Sequence, residues 1–463
     1  MTSDISSPTP AGPWYRELNS YHWFVLIVAA LGWLFDCMDQ RIFMVTRQRA
    51  LTELLGYQAK GKDLVVLGTE EPLSASQQEI GRENIAWYSG LATAIFMLGW
   101  ATGGLIFGIT GDRWGRAKTM LLTILIYSLF TGLTALSQHT WDFMIYRFIT
   151  GMGVGGEFAA GVSLLAEVMP SRARPYALGA LQALSAFGNI SGSLLSWAFS
   201  NWRHLFLVGI VPALMVILVR RRLQEPESWQ LAVREKKEGV GDGMGSLGEM
   251  LHNPRWRYHT IIGVLLALSG VIGLWGVGFW TFELVTNTLR AQNFSAEEIN
   301  RIRAWGTALQ DVGAFFGIYV FSLMAARVGR RWAFALGFVL ALAATCLVFG
   351  TLNSESDVYW MLPLLGFCNL MVFGGYAIYF PELYPTRLRS TGTGFCYNVA
   401  RYLAAFGPFT LGYLVIFYGN MLGTSSGDTP FRYATLTVAT IYLLGLAVLP
   451  FAPETKGKPL PEG

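Results

Sequence analysis

Six ionisable residues sit in stretches of sequence that are otherwise apolar. Asp36 and Asp39 lie in "LGWLFDCMDQRIF", Arg147 and Glu157 in "RFITGMGVGGEFAAG", Asp311 in "GTALQDVGAFF" and Arg401 in "GFCYNVARYLAAFGP". A charge at bilayer depth costs at least about 2.5 kcal/mol, so each such residue is there for pairing or for chemistry. Asp36 and Asp39 are three residues apart and share one side of a helix. A carboxyl group at this depth can load or release a proton as water access changes, so Asp36, Asp39 and Glu157 are the candidate proton-coupling residues. The alternative for Asp36 is a carboxylate neutralised by a nearby arginine for packing. Asp39 is expected in outer-facing water with Arg41. Arg147, close to an outer segment end, is expected to snorkel as a structural charge. The guanidinium of Arg401 is a planar fork that fits a carboxylate in a bidentate manner. It is the candidate for receiving an organic anion, and the alternative is a structural pair with Asp311 or Asp36. Asn398, Gln182, Asn189, Asn369 and Asp311 are the polar candidates for contacting the same ligand. Gln310 and Glu283 form a weaker set, and Trp275, Trp280 and Tyr376 are aromatic candidates better suited to packing.

The elements that position these residues follow from composition. The chain has 463 residues, 53% hydrophobic and 14% charged, with 52 glycines. Soluble globular proteins carry about 25% charged residues, so the deficit indicates a membrane protein. Twelve stretches are long and apolar enough to cross a bilayer, over about 23–46, 86–109, 118–137, 141–166, 175–199, 204–220, 259–282, 303–325, 332–351, 358–380, 390–417 and 432–451. They are numbered here as spans 1 to 12. Arginines gather in the loops after spans 2, 4, 6, 8 and 10, which places those loops and both termini on the cytoplasmic side. The stretch 47–85 reads as a long outer loop.

Two strings are written twice. "AEVMPSRARPYALG" (166–179) aligns with "FPELYPTRLRSTGTG" (380–394), pairing Glu167, Arg172 and Arg174 with Glu382, Arg387 and Arg389. "GITGDRWGRAK" (108–118) aligns with "AARVGRRW" (325–332), pairing Gly115 and Arg116 with Gly329 and Arg330. A common offset makes the chain two homologous halves. The expected divisions are a tail 1–22, a six-helix half 23–220, a flexible linker 221–257, a second half 258–451 and a tail 452–463. Gly108 and Gly111 allow close helix approach, Asp112 can accept from backbone N–H groups at a helix start, and Arg113 and Arg116 are expected as headgroup anchors.

The pattern Gly-x-x-x-Asp-Arg-x-Gly-Arg-x-Lys resembles the signature loop between the second and third helices of the major facilitator superfamily. "EPESW" (225–229) and "PETKG" (453–457) agree with that resemblance, which covers essentially the whole chain. It implies an all-α integral membrane protein with twelve transmembrane helices in two pseudo-symmetric six-helix bundles. It further implies a substrate site between the bundles and alternating access. The repeated loops would then form a cytoplasmic gate of Gly108, Asp112, Arg113, Gly115, Arg116, Glu167, Arg172, Arg174, Arg330, Glu382, Arg387 and Arg389. Ala326 stands where the second copy would carry an aspartate, a departure from the pattern.

Nothing in the sequence marks an enzyme. No phosphate-binding glycine loop occurs, no nucleophile clusters with a base, and no cysteine or histidine spacing suits a metal. A net charge of +4 spread over short loops gives no support to nucleic-acid binding. The expected partners are a small-molecule substrate, protons and the lipid bilayer, in a monomer that needs no cofactor beyond a proton gradient. Helix 7 lacks the paired glutamines of sugar porters. The two helix-1 aspartates, the Gly-Gly-Glu of helix 4 and Arg401 look more like the aromatic-acid and sialate proton symporters. The leading expectation is proton-coupled uptake of a small organic anion through the bacterial inner membrane. A sugar or polyol porter, an efflux carrier and a non-transporting nutrient sensor are the alternatives.

Overall fold

The computed structural model describes residues 12–60, 63–69, 73–199, 201–239, 243–423 and 428–462. The start of the expected N-terminal tail and residues 240–242 of the expected flexible linker lie outside the described residues. Among the described residues the helices group into twelve spans, four of them made of two segments. Spans 1 to 4 are Ser20–Leu54, Ala75–Trp114, Arg116–Thr134 and Thr140–Val168. Span 5 is Arg174–Ala183 followed by Ser185–Ala198, and span 6 is Trp202–Val208 followed by Val211–Val219. Spans 7 to 10 are Pro254–Ala291, Ala296–Val328, Arg330–Thr351 and Glu355–Glu382. Span 11 is Arg389–Ala404 followed by Gly407–Leu422, and span 12 is Asp428–Ala439 followed by Ile441–Val448. Spans 5, 6, 11 and 12 are thus each interrupted, spans 5 and 6 in the first half and spans 11 and 12 in the second.

The spans outrun the apolar stretches because their starts are fixed by polar caps. Ser74 with Gln77, Ser295 with Glu298 and Ser354 with Asp357 form reciprocal capping boxes at the starts of spans 2, 8 and 10. The stretch 47–85 is therefore helical at both ends. Span 1 runs on to Leu54, span 2 begins at Ala75, and a short antiparallel hairpin of Tyr57–Lys60 with Asp63–Val66 lies between them. The linker carries two short helices, Glu227–Lys237 and Leu247–His252.

Packing follows the repeat. Span 2 lies on span 4, and span 8 on span 10; span 1 lies on span 5, and span 7 on span 11. The halves meet along span 2 with span 11 and span 5 with span 8, which are equivalent pairs under the repeat. Within the first half, Gly151 and Gly155 of span 4 press on the backbone of span 2 at Phe96 and Trp100, while Gly99 and Gly103 press on Phe148 and Met152. In the second half Gly313 and Gly317 press on Pro363 and Phe367. Backbone-to-backbone contact of this kind supplies dispersion energy where lipid removes the hydrophobic drive for helices to associate.

A side chain at these glycines has to push two backbones apart. Gly155→Val is expected to destabilise the first half by about 1–3 kcal/mol. Thermal unfolding of the detergent-solubilised protein reads this as a fall in Tm, and the same substitution at Gly350, which has open space around it, serves as the control.

Candidate functional site

On the face that carries the arginine-rich loops, the two halves are locked together. Asp112, at the end of span 2, accepts hydrogen bonds from the backbone N–H groups of Ser390 (3.1 Å) and Thr391 (2.8 Å) and from the Thr391 hydroxyl (2.6 Å). These are the first residues of span 11, so a carboxylate of one half holds the helix N-terminus of the other, where dipole and free N–H groups favour an anion. Arg116 pairs with Asp112 and with Glu167, each at 3.0 Å, and also donates to the Thr386 carbonyl across the midline. Glu167 in turn takes Arg389 of the second half at 2.7 Å. Arg116 and Arg389 are fully buried, so Arg116 is not the headgroup anchor its loop position suggested.

The second copy repeats the frame and omits the crossing bonds. Arg330 pairs with Glu382 at 2.6 Å and donates to the Ala325 carbonyl, as Arg116 does to Gly111. Arg174 donates to the Ala166 carbonyl, as Arg389 does to Pro381. Among the described residues Arg174 makes no ion pair with Glu382. Ala326 replaces Asp112, so the acceptor is missing there, and Pro175 replaces Ser390, so one of the two backbone donors is missing while the other, at Tyr176, remains.

The strings "EPESW" and "PETKG" carry structural duties in this assembly. Gly115 (φ +117°) and Gly329 (φ +104°) make the turns into spans 3 and 9, a conformation that only glycine adopts freely. Glu225 then accepts from the backbone N–H groups of Ala117 and Lys118, both at 3.1 Å. Glu454 does the same for Arg330 (2.9 Å) and Arg331 (3.1 Å). Ser228 donates to Glu167 at 3.2 Å and Thr455 to Glu382 at 2.6 Å. Partial burial acts to raise the Glu454 carboxyl, but the donated N–H bonds outweigh it and hold the group below its ordinary range. The symmetry of the two glutamates was present in the sequence and their duty was not read from it.

The linker joins the lock as well. Arg113 donates to the carbonyls of Met244 and Gly245, both at 3.3 Å, while Gly245 N–H donates to the Arg387 carbonyl at 2.8 Å. Arg387 also pairs with Glu249 of the linker. Arg172, expected at the gate, instead pairs with Glu17 of the N-terminal segment at 2.9 Å. Gly108 lies against the Ser390 carbonyl and gives span 11 room to approach.

Towards the opposite face a cavity of about 650 Å³ lies between the halves. Its wall runs from the buried Arg401, Gln182 and Trp100 to the exposed Val45, Gln48, Glu283 and Arg290, so it reaches the surface there. Its charged lining is five arginines and two carboxylates, Arg41, Arg47, Arg290, Arg303 and Arg401 against Glu283 and Asp311. An excess of fixed positive charge inside low-dielectric walls draws anions.

Most buried charges near the cavity are satisfied. Arg147 is wholly buried and does not snorkel. It pairs with Asp39 (3.4 Å), donates to Thr134 and Thr150, and lies under the Phe206 ring. Asp39 is accordingly buried, and Thr131 donates to it at 2.8 Å, so it does not sit in outer water with Arg41. Arg41 instead reaches across to Asp311 of the second half, at 2.7 and 3.0 Å, and Asn189 donates to the same carboxylate at 3.0 Å. This removes Asp311 as the partner of Arg401.

Two sets remain open. Arg401, 1% exposed, donates to the Tyr397 carbonyl (2.5 Å) and to Asn398 (3.3 Å) and is sandwiched by the rings of Trp100 (4.1 Å) and Tyr397 (4.2 Å). Among the described residues no carboxylate comes within 4.0 Å of it. Asp36 and Glu157 form the other set. Both are buried, neither Asp36 oxygen nor Glu157 Oε2 has a hydrogen-bond partner, and the Glu157 carboxylate fills the space beside Gly32, one turn before Asp36. Of the ligand candidates, Arg401, Gln182, Asn189, Asp311, Gln310, Glu283 and Trp275 line the cavity. Asn369 and Asn398 are buried behind it, Asn398 packing on Gly104 and orienting Arg401. Tyr376 donates to the Leu266 carbonyl and Trp280 is core. Trp33, Gln40, Trp100, Ser185 and Tyr397 also line the wall. Their types looked like ordinary packing residues, and only the fold brings them to one place.

Comparison with known proteins agrees with this architecture. Residues 30–299 match the family described as Major Facilitator Superfamily. A putative metabolite transport protein of Haemophilus influenzae is 30% identical over 451 residues, 96% of this chain and 99% of that protein. A cis,cis-muconate transport protein of Acinetobacter baylyi is 30% identical over 361 residues, 76% of this chain and 84% of that protein. The solved proton:xylose symporter XylE superposes with a TM-score of 0.71 at 18% identity, covering 95% of this chain and 98% of that one.

The lock generates two expectations. Asp112→Ala should raise amide hydrogen exchange in residues 386–394 by about tenfold or more, because two protected N–H groups lose their acceptor. Glu454→Gln should lower Tm at neutral pH. The sign follows from a folded-state carboxyl held below its unfolded value: its contribution is present above the ordinary carboxylate range and lost as pH falls through the lowered one. The gap in Tm between the two proteins should therefore close on acidification.

Proposed function

Because this chain belongs to the major facilitator superfamily, we propose that it is a proton-coupled symporter taking small organic anions into the cell by alternating access. The observation that carries the reading is Arg401. A buried guanidinium with no carboxylate partner, at the inner end of a positively lined cavity, is a costly arrangement that a bound carboxylate relieves. Its fork is oriented by Asn398 and the Tyr397 carbonyl, and the two rings hold it while the anion is absent.

Asp36 and Glu157 supply the proton site. Both are buried carboxyl groups with oxygens that find no hydrogen-bond partner among the described residues, and Glu157 reaches span 1 one turn before Asp36, which is where a transported proton would be held. Water reaching span 1 from the other face after rocking releases it. The arginine-rich face is the cytoplasmic one, with both termini inside, in keeping with the positive-inside rule. The arrangement is then outward-open: the lock of Asp112, Arg116, Glu167 and Arg389 shuts the inside while the cavity meets the outside. The proposed carrier sits in the bacterial inner membrane as a monomer. Glu225 and Glu454 cap helices, so the strings "EPESW" and "PETKG" that carry them give no weight to a sugar substrate.

Uptake into proteoliposomes under an imposed pH gradient, with a carboxylate panel that includes cis,cis-muconate, tests both halves of the proposal. Asp36→Asn should abolish gradient-driven accumulation while substrate counterflow persists. Full accumulation by that variant removes the coupling role. Arg401→Lys should raise KM for the transported anion by about tenfold or more, through loss of the bidentate fork. An unchanged KM, or transport of a neutral hexose that survives Arg401→Ala, removes the anion assignment.

A further inference from the structure

Arg401 is the second half's contribution to the cavity; the first half presents something different. Trp33 on span 1, Trp100 on span 2, and Gln182 and Ser185 on span 5 all line it, and all are at most 4% exposed. In each, a polar atom has no hydrogen-bond partner: the two indole Nε1 atoms, Gln182 Oε1 and Ser185 Oγ. A polar group buried unmatched is destabilising, and these four share the lining of one cavity.

Ser193 and Ser196, further along span 5, return their hydroxyls to carbonyls one turn back, at Asn189 (3.0 Å) and Gly192 (2.7 Å). Ser185, the first residue of the second segment of span 5 after the interruption at Leu184, makes no such bond. Gln182 lies three residues earlier, near the end of the first segment, so both point to the cavity from the broken turn. Discontinuous helices in carriers place groups at the substrate in this way.

We infer that these residues form a hydrogen-bonding subsite for oxygen substituents on the body of the anion whose carboxylate Arg401 holds. Two indole N–H donors offer bonds to a hydroxyl or carbonyl oxygen. The Gln182 carbonyl accepts a hydroxyl proton, and Ser185 does either. The preferred cargo is a hydroxylated carboxylate, and a hydrocarbon acid of the same shape leaves the wall unmatched. The inference rests on the anion reading above. It assigns recognition to both halves, so the bound molecule bridges the interface that rocks.

The test uses the full-length carrier in proteoliposomes with two probe pairs, benzoate against 3,4-dihydroxybenzoate and hexanoate against gluconate. In the wild type, the hydroxylated member of at least one pair should show a KM about tenfold lower or better. Ser185→Ala and Trp33→Phe, which keep shape and ring, should each narrow that ratio, and the double variant should bring it near one. Variants are compared only where their Tm matches the parent, and the two single variants serve independently. A wild-type ratio near one in both pairs, or a ratio that survives in the double variant, overturns the subsite. Failure of the anion reading looks different: Arg401→Ala then leaves the KM of every acid unchanged, whatever the hydroxyl ratio.

Discussion

The carboxylate of Asp112, held by two backbone N–H groups of the opposite half, is the contact on which the rest of the arrangement depends. It fixes where span 11 begins relative to span 2, and so fixes Arg401 three turns further along span 11. With that end closed, the halves splay at the other end, and the cavity exists because they do. The same bond sets the register of Glu167 with Arg389, whose charges would be stranded in the interior without each other.

Buried charges in this protein divide into two economies. Asp39 with Arg147, and Asp311 with Arg41, are neutralised inside the protein and stiffen it. Asp36, Glu157 and Arg401 are not, and they lie on spans 1, 4 and 11, away from the loops that the repeat duplicates. Stability alone would remove such groups, since well-packed apolar residues of similar volume cost less. Of the three, Arg401 lines the cavity between the halves, while Asp36 and Glu157 are buried within the first half.

How far the sequence disclosed this depends on the kind of signal. The twelve spans and two halves were legible because hydropathy and a duplicated string are properties of contiguous residues. That Asp112 can accept from a helix start was legible in its type, but the helix it holds belongs to the other half, 279 positions away at Thr391. The partner of Arg147 was not, since Asp39 is 108 positions away and only the rotation of span 1 about its axis brings it close. The helical ends at 47–54 and 75–85 escaped because they are polar; a capping serine extends a helix where hydropathy sees a loop. Glu225 and Glu454 were visible as motif members, yet a motif labels a position and not the hydrogen bond made there.

The unequal second copy of the lock has an evolutionary corollary. Ala326 removes the acceptor between spans 8 and 5, and Pro175 removes one of the two backbone donors that would have met it. Restoring an N–H at position 175 alone would gain no bond, and an aspartate restored at position 326 alone would meet one backbone donor fewer than Asp112 does. Each step back towards the first half's arrangement gains less alone than the two gain together. The duplicated interface has therefore drifted into two unlike edges, one tied by a carboxylate and the other without that tie.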